Sequence, residues 1–335
     1  MGRFAQDTER FGKFAYARMT AVPISGDHSL SLKQLAALFA LGALMFTSIA
    51  SALVLVIQAP GDYETIREAV AAAPDHAVIE IAPGVYAESL VIDRPLRLRP
   101  AAGGEVLLAP PLDEPVITIE NTESVTIEGL SIVGGRYGIF VTRSQAITIK
   151  DNAVSGSRLV GIKVRLGAAD ILDNTVFHAQ PPYGMGIHVT NTTQWPPSRV
   201  IGNLVFGQPL SGIYTNMTGM IEIMDNVVTG NGQHGIAVTE MSHADVFDNI
   251  VVDNAETGIQ LLDMSIAHIC DNIVSDTRGS SEAPQIRQGN GIIVDYHSEA
   301  TLSGNTIQSS AQHGISILFG STAFLHENSI QDSEA

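Results

Sequence analysis

Asn226-Val227-Val228-Thr229-Gly230-Asn231-Gly232-Gln233-His234-Gly235-Ile236-Ala237-Val238 is followed, 23 residues on, by Asn249-Ile250-Val251-Val252-Asp253-Asn254-Ala255-Glu256-Thr257-Gly258-Ile259-Gln260-Leu261. Working outward, an Asn stands two residues before an aliphatic residue at 152, 174, 203, 226, 249, 272, 305 and 328, with gaps of 22, 29, 23, 23, 23, 33 and 23. A Gly-Ile pair keeps time with it at Gly138, Gly161, Gly186, Gly212, Gly235, Gly258, Gly291 and Gly314. A fixed period means that each unit buries its apolar face only against its neighbours.

Aligned on the Asn, the column three residues earlier runs Ile149, Ile171, Val200, Ile223, Val246, Ile269, Leu302, Leu325. The column two residues later runs Val154, Val176, Val205, Val228, Val251, Val274, Ile307, Ile330. Short β-branched runs broken by Gly, Asn, Asp and Ser predict strands. Three short strands and three corners in about 23 residues make one coil of an all-β parallel β-helix. The Asn is expected at a sharp left-handed corner, its amide laddering up the stack. Gly before Ile is expected to supply a further bend.

This cadence resembles the right-handed parallel β-helix superfamily, the pectate-lyase-like proteins. Tyr63 to Leu98, with Ile66-Arg67-Glu68-Ala69-Val70 and Ile81-Ala82-Pro83-Gly84-Val85-Tyr86, resembles the opening coil of many members. Similar openings occur in pectin methylesterases and in periplasmic accessory proteins of nitrous-oxide reductase maturation. The resemblance covers roughly residues 53–335 and implies a right-handed parallel β-helix solenoid of roughly eleven coils. A short amphipathic helix over 62–74, N-capped by Asp62 and stopped at Pro74, is expected to cap the first coil.

The ends set the compartment. Leu35 to Ile57 is uncharged and apolar, long enough for a membrane span. Ala50-Ser51-Ala52 offers an export cleavage pattern. The expected organisation is a leader over 1–34, a signal peptide or membrane anchor over 35–52, and the β-helix domain over 53–335. The repeats then lie outside the cytoplasm, periplasmic or extracellular, with a tether through 35–57 if the segment stays uncleaved. Five Lys/Arg and three Asp/Glu precede residue 53, so 13 basic and 32 acidic residues of the totals 18 and 35 follow it, net −19. Such a surface repels nucleic acid and anionic lipid. It also argues against unaided binding of an acidic polysaccharide. The single Cys270 excludes an intrachain disulfide.

Residues at equal repeat positions form columns up the solenoid. Two places after each Gly come Lys163, His188, Tyr214, Ala237 and Gln260, all expected to point outward. Four places after come Arg165, Thr190, Asn216, Thr239, Leu262 and Asp295; the fifth adds Asn191, Glu240, Asp263 and Tyr296. A polar, partly aromatic strip suits a polysaccharide or oligosaccharide, which offers many hydroxyls and an apolar ring face. Insertions around 180–183, 193–197 and 277–288 wall such a face, and the sole Trp, Trp195, lies in one. The expected binding set is Lys163, His188, Asn191, Trp195, Tyr214, Asn216 and Gln260.

The reaction class stays open. A lyase would take Lys163 or Arg165 as base, with Asp263 and Asp295 able to hold Ca²⁺. A glycoside hydrolase would need opposed carboxylates, for which Glu240 and Asp263 are the nearest pair. Asp-Phe-Ile-Phe-Gly, Leu-Gly-Arg-Pro-Trp and Asp-Pro-His-Asp blocks, typical of esterases and epimerases of this superfamily, are absent from the sequence. Gln233-His234-Gly235 and Gln312-His313-Gly314 only echo the polygalacturonase Gly-His-Gly. His234 and His313 fall at least three coils apart, so no shared metal and no obligate cofactor is expected.

A second surface competes. Two residues before the Asn stand Leu172, Ile201, Met224, Phe247 and Cys270; one residue after it stand Leu204, Val227, Ile250 and Ile273. Outward apolar columns of this size imply cover by a second copy, the membrane-proximal leader or another exported protein, and in the last case the chain is a non-catalytic scaffold.

Overall fold

In the computed structural model, residues 55–111, 113–192, 196–279 and 288–333 are described. The leader, the apolar segment 35–54 and Trp195 lie outside them. Among the described residues no helix is long and apolar enough to cross a membrane.

The chain winds as a parallel β-solenoid of about eleven turns. Three parallel sheets form its faces: sheet A of 12 strands, sheet B of 11 and sheet C of 10. One coil contributes Ile147–Lys150 to A, Ala153–Ser155 to B and Val160–Arg165 to C. Each strand pairs with its counterpart one turn on, as in Ile149↔Ile171 and Val154↔Val176. Alternation seals one side of the strands between the first and last coils. The two aligned columns are buried along the stack, save Leu325 and Ile330 of the last coil, each 49% exposed.

Two local expectations change. The left-handed residue at the A–B corner is the one before the Asn: Asp151, Asp173, Gly202, Asp225, Asp248, Asp271, Gly304 and Glu327 all have φ between 50° and 70°. That twist turns the Asn inward, where its amide runs from coil to coil. Asn226 is fully buried. Its backbone N–H and its Nδ2 both donate to Asn249 Oδ1 at 3.0 and 2.9 Å, and Nδ2 also donates to Val200 O at 2.8 Å. The ladder expected from the amide is present; the corner is made by its neighbour.

The Gly of Gly-Ile likewise makes no bend. It sits in the sheet C region, and a Cβ on Gly235 would run into Val251 Cγ1 of sheet B and lie 2.7 Å from Gly258 O. The column is glycine because the tube is too narrow there for any side chain.

The helix Ile66–Ala72 buries Ile66, Ala69 and Val70 in the same core. Its N-cap is Thr65, whose hydroxyl accepts from Glu68 N at 3.1 Å, and not Asp62. Asp62 instead closes the preceding turn, accepting from Gln58 N at 2.9 Å. Thr65 takes the cap because it stands three residues before Glu68. Ala73, extended, ends the helix ahead of Pro74.

Candidate functional site

Sheet C carries the predicted column in strict register: Lys163↔His188, His188↔Tyr214, Tyr214↔Ala237, Ala237↔Gln260. On Val160–Arg165, Ile162 and Val164 face the core at 0% exposure, which sends Lys163 outward between them. The open part of the strip is shorter than expected. Lys163, His188 and Tyr214 are half-buried. Ala237 at 0% and Gln260 at 5% are covered, so Gln260 is not a surface group.

A directed hydrogen-bond chain crosses this face. Lys163 Nζ lies 2.8 Å from His188 Nδ1, and His188 Nε2 lies 2.8 Å from Asn216 Oδ1. Asn216 Nδ2 donates to Glu240 Oε2 at 3.0 Å. An ammonium only donates, so Nδ1 accepts and the imidazole carries its proton on Nε2. The ring is therefore a neutral relay between Lys163 and Glu240.

The electrostatics agree with that assignment. Burial, reinforced by the Lys163 charge and partly offset by the Asn216 hydrogen bond, lowers the His188 pKa to about 4. Burial and then Arg165 lower Lys163 to about 8. Burial raises Tyr214, against the Thr239 hydrogen bond and with help from Glu240 and Asp263. Thr239 Oγ1 donates to Thr215 O at 3.2 Å, and its lone pairs face the Tyr214 hydroxyl at 3.0 Å, which ties the phenol to sheet C. The Tyr214 ring meets His188 edge-on, centroids 4.9 Å apart.

His188 gives a sign-definite pH effect. Its folded pKa lies below the ordinary imidazole value of 6.5, so the unfolded chain binds more protons between about 4 and 6.5. Stability from this group is present above that window and lost as pH falls through it. The wild type is expected to lose its advantage over H188Q between pH 6.5 and 4, by on the order of 2 kcal/mol. Urea unfolding of both chains across that range checks it; a pH-independent difference would contradict the relay.

Sequence reasoning missed Arg143, one coil before the strip at the same corner as Asn191. Its Nε donates to Asn121 Oδ1 at 2.7 Å, and its neighbour Thr142 pairs with Arg165. Among the described residues no carboxylate ion-pairs with Arg143, Lys163 or Arg165, whereas Arg97, Arg99, Arg158, Arg199 and Arg278 are all engaged. Lys163 and Arg165 share one strand and Arg143 lies one coil before them, three cations without a carboxylate ion pair among the described residues on a chain of net charge −17. Extending the fifth-position column one coil back would have found Arg143.

The other candidates separate. Glu240 and Asp263 occupy the same corner on neighbouring coils, with φ of 52° and 57°. Asp295 is fully buried, and its Oδ1 accepts from Tyr296 N at 2.8 Å. Asn191 holds a left-handed corner at φ 50°. Farther along, Tyr296 and Phe319 stack at 5.1 Å with both rings exposed.

The apolar columns are where the sequence put them. Leu172↔Ile201↔Met224↔Phe247↔Cys270 runs up sheet A with half-buried side chains. Leu204, Val227, Ile250 and Ile273 run up sheet B, 36–46% exposed. The strand phase is right, and these side chains do face outward.

Residues 115–274 match the family model described as right handed beta helix region. A cell surface glycoprotein of Methanothermus fervidus is 30% identical over 87 residues, which is 26% of this chain and 14% of that protein. Similar solved structures include pectate lyase Pel9A (TM-score 0.58, 10% identity, 81% of this chain and 78% of that one). A Family 28 exopolygalacturonase of Yersinia enterocolitica gives 0.57, 10%, 84% and 79%. The periplasmic alginate epimerase AlgG gives 0.52, 13%, 82% and 83%. At these identities the likeness is one of fold.

Proposed function

Because this chain is a right-handed parallel β-helix repeat protein, we propose that it binds an anionic, uronate-bearing glycan across the Lys163–His188–Tyr214 face and abstracts a proton from it. The observation that carries this is the group of three cations without acid partners, one of them an amine with a pKa of about 8. Arg143 and Arg165 would hold the carboxylate and offset charge developing on it. Lys163, neutral in a substantial fraction near pH 8, would take the proton α to that carboxylate. The resulting carbanion is common to epimerisation and β-elimination. Tyr214, kept protonated by burial and held in place through Thr239, would be the proton donor. Asn191, Asn216 and Trp195 are assigned to ring and hydroxyl contacts, and Gln260, being covered, to support of the sheet. Calcium on Asp263 and Asp295 is not part of this reading, since the cations already serve the carboxylate.

The cation group reverses the expectation drawn from overall acidity. Local charge, not net charge, meets the ligand, because exposed charges beyond about 10 Å are screened at ordinary salt. The R143Q/R165Q double variant is expected to lose retention on polygalacturonate or alginate in affinity electrophoresis, by roughly tenfold or more. Retention equal to wild type would sink the assignment. Residues 1–52 are read as an export segment, in keeping with a cell-surface relative and a periplasmic structural neighbour. The helix Ile66–Ala72 is read as the cap on the first coil.

A second reading has its own observation. The paired apolar ladders through Ile201, Met224 and Phe247 suit a second copy or an exported protein partner. Sedimentation should then show a dimer that I250D/I273D converts to monomer; a wild-type monomer that binds no hydrophobic dye would remove this reading.

A further inference from the structure

Met217, Met241 and Met264 stand one above another at the corner that leaves sheet C. Backbone hydrogen bonds place them in a single column: Met217 N to Glu240 O at 3.0 Å, Met241 N to Asp263 O at 2.8 Å, Met264 N to Tyr296 O at 2.9 Å. All three share the left-handed backbone, with φ of 50°, 59° and 57°, so their side chains leave the corner in one direction. They are 42%, 58% and 57% exposed. Successive coils lie about 4.8 Å apart.

Where the next coil carries a glycine, the left-handed corner side chain covers it: Asp173 covers Gly202, His178 covers Gly207, Asp271 covers Gly304 and His297 covers Gly320. At the coil spacing, the side chains of Met217, Met241 and Met264 are within reach of one another. Three rotatable bonds in each side chain then let the sulfurs converge. Burial of a methionine is worth about 1.5–3 kcal/mol, so three held in water on consecutive coils are poor packing residues. Earlier coils use Arg143, Leu166 and Asn191 at this corner, so it accepts polar as well as apolar groups. Unlike leucine, methionine offers a polarizable thioether.

We propose that the thioethers of Met217, Met241 and Met264 form a binding site for a soft monovalent cation of the cuprous class. Thioether ligands select Cu(I) over the hard divalent ions. Glu240 and Asp263, directly before Met241 and Met264, add negative potential without entering the sulfur set. The site is built from residues that the glycan reading leaves unused, and it stands without that reading.

The test uses the full chain carrying C270S, so that the lone thiol does not compete. Cu(I) is titrated anaerobically against a chromophoric Cu(I) chelator, with Ag(I) as a redox-inert second probe and Zn(II) as the hard control. One Cu(I) per chain with a sulfur-only shell in X-ray absorption is expected, with no Zn(II) bound in its place. M241L should weaken Cu(I) by about tenfold or more, and M217L/M241L/M264L should abolish it. Leucine keeps volume at exposed positions, and an unchanged thermal melt certifies the fold. No retained Cu(I), retention unchanged in the triple variant, or a nitrogen/oxygen shell each overturns the proposal.

Discussion

Replacing Lys163 by Met is expected to lower proton abstraction from a uronate by roughly 10²–10⁴-fold, the usual contribution of a positioned base. Met keeps most of the aliphatic stem and removes only the amine. The wild-type rate should rise with pH through about 8 and then level, because the base acts when neutral and its pKa is lowered to that value. Solvent-deuterium exchange at the carbon α to the carboxylate reads this step for an epimerase and a lyase alike. An ultraviolet signal from unsaturated product then separates the two. Exchange that persists in K163M would remove Lys163 from the chemistry while leaving glycan retention to the arginines. In H188Q the rate profile should also move, since the relay to Asn216 and Glu240 sets the lysine's surroundings. A merely structural histidine would change stability without moving that profile.

Asn226→Leu is expected to cost about 3–6 kcal/mol. The substitution removes the acceptor for Asn203 N and Asn203 Nδ2, at 2.9 and 3.0 Å, and the donor to Val200 O. Each buried polar group left without a partner costs roughly 1–3 kcal/mol. Leucine also has to fit between stacked amides where nothing apolar faces it. Asn328 offers the control. It makes the equivalent bonds from Asn305 and to Leu302 O, yet it lies half-buried in the last coil, where water replaces what is lost. Urea unfolding should show a large loss for N226L and a small one for N328L. Equal effects would mean that the ladder adds nothing beyond local turn geometry. Solenoid stability is a sum over neighbouring repeats, so the central defect should also reduce cooperativity.

The period of 23 made the architecture legible because, in a solenoid, the spatial neighbour of a residue is its own counterpart one turn on. Lys163, His188 and Tyr214 could be placed side by side from spacing alone, and so could the outward apolar ladders. The Asn column was legible as a ladder for the same reason, since an amide both donates and accepts along the stack. The details within one turn were not. Whether Asn226 or Asp225 takes the left-handed backbone depends on which side chain the tube can admit, and that is a packing question.

What the amino-acid sequence determined by itself is the sense of repetition: which residues seal the core, which stack, and which faces look outward. Tertiary structure alone decided how those outward groups are paired and covered. Arg143, Lys163 and Arg165 lack ion pairs among the described residues although Glu120 shares Arg165's column and Asp93 and Glu123 line the same groove as Arg143, so it is side-chain geometry that decides the pairing. Ala237 and Gln260 share Tyr214's column yet are shut away, as burial on an outer face depends on what lies across it. Periodic hydrophobicity records contacts made every turn; ion pairing and solvent access arise from side chains that meet once.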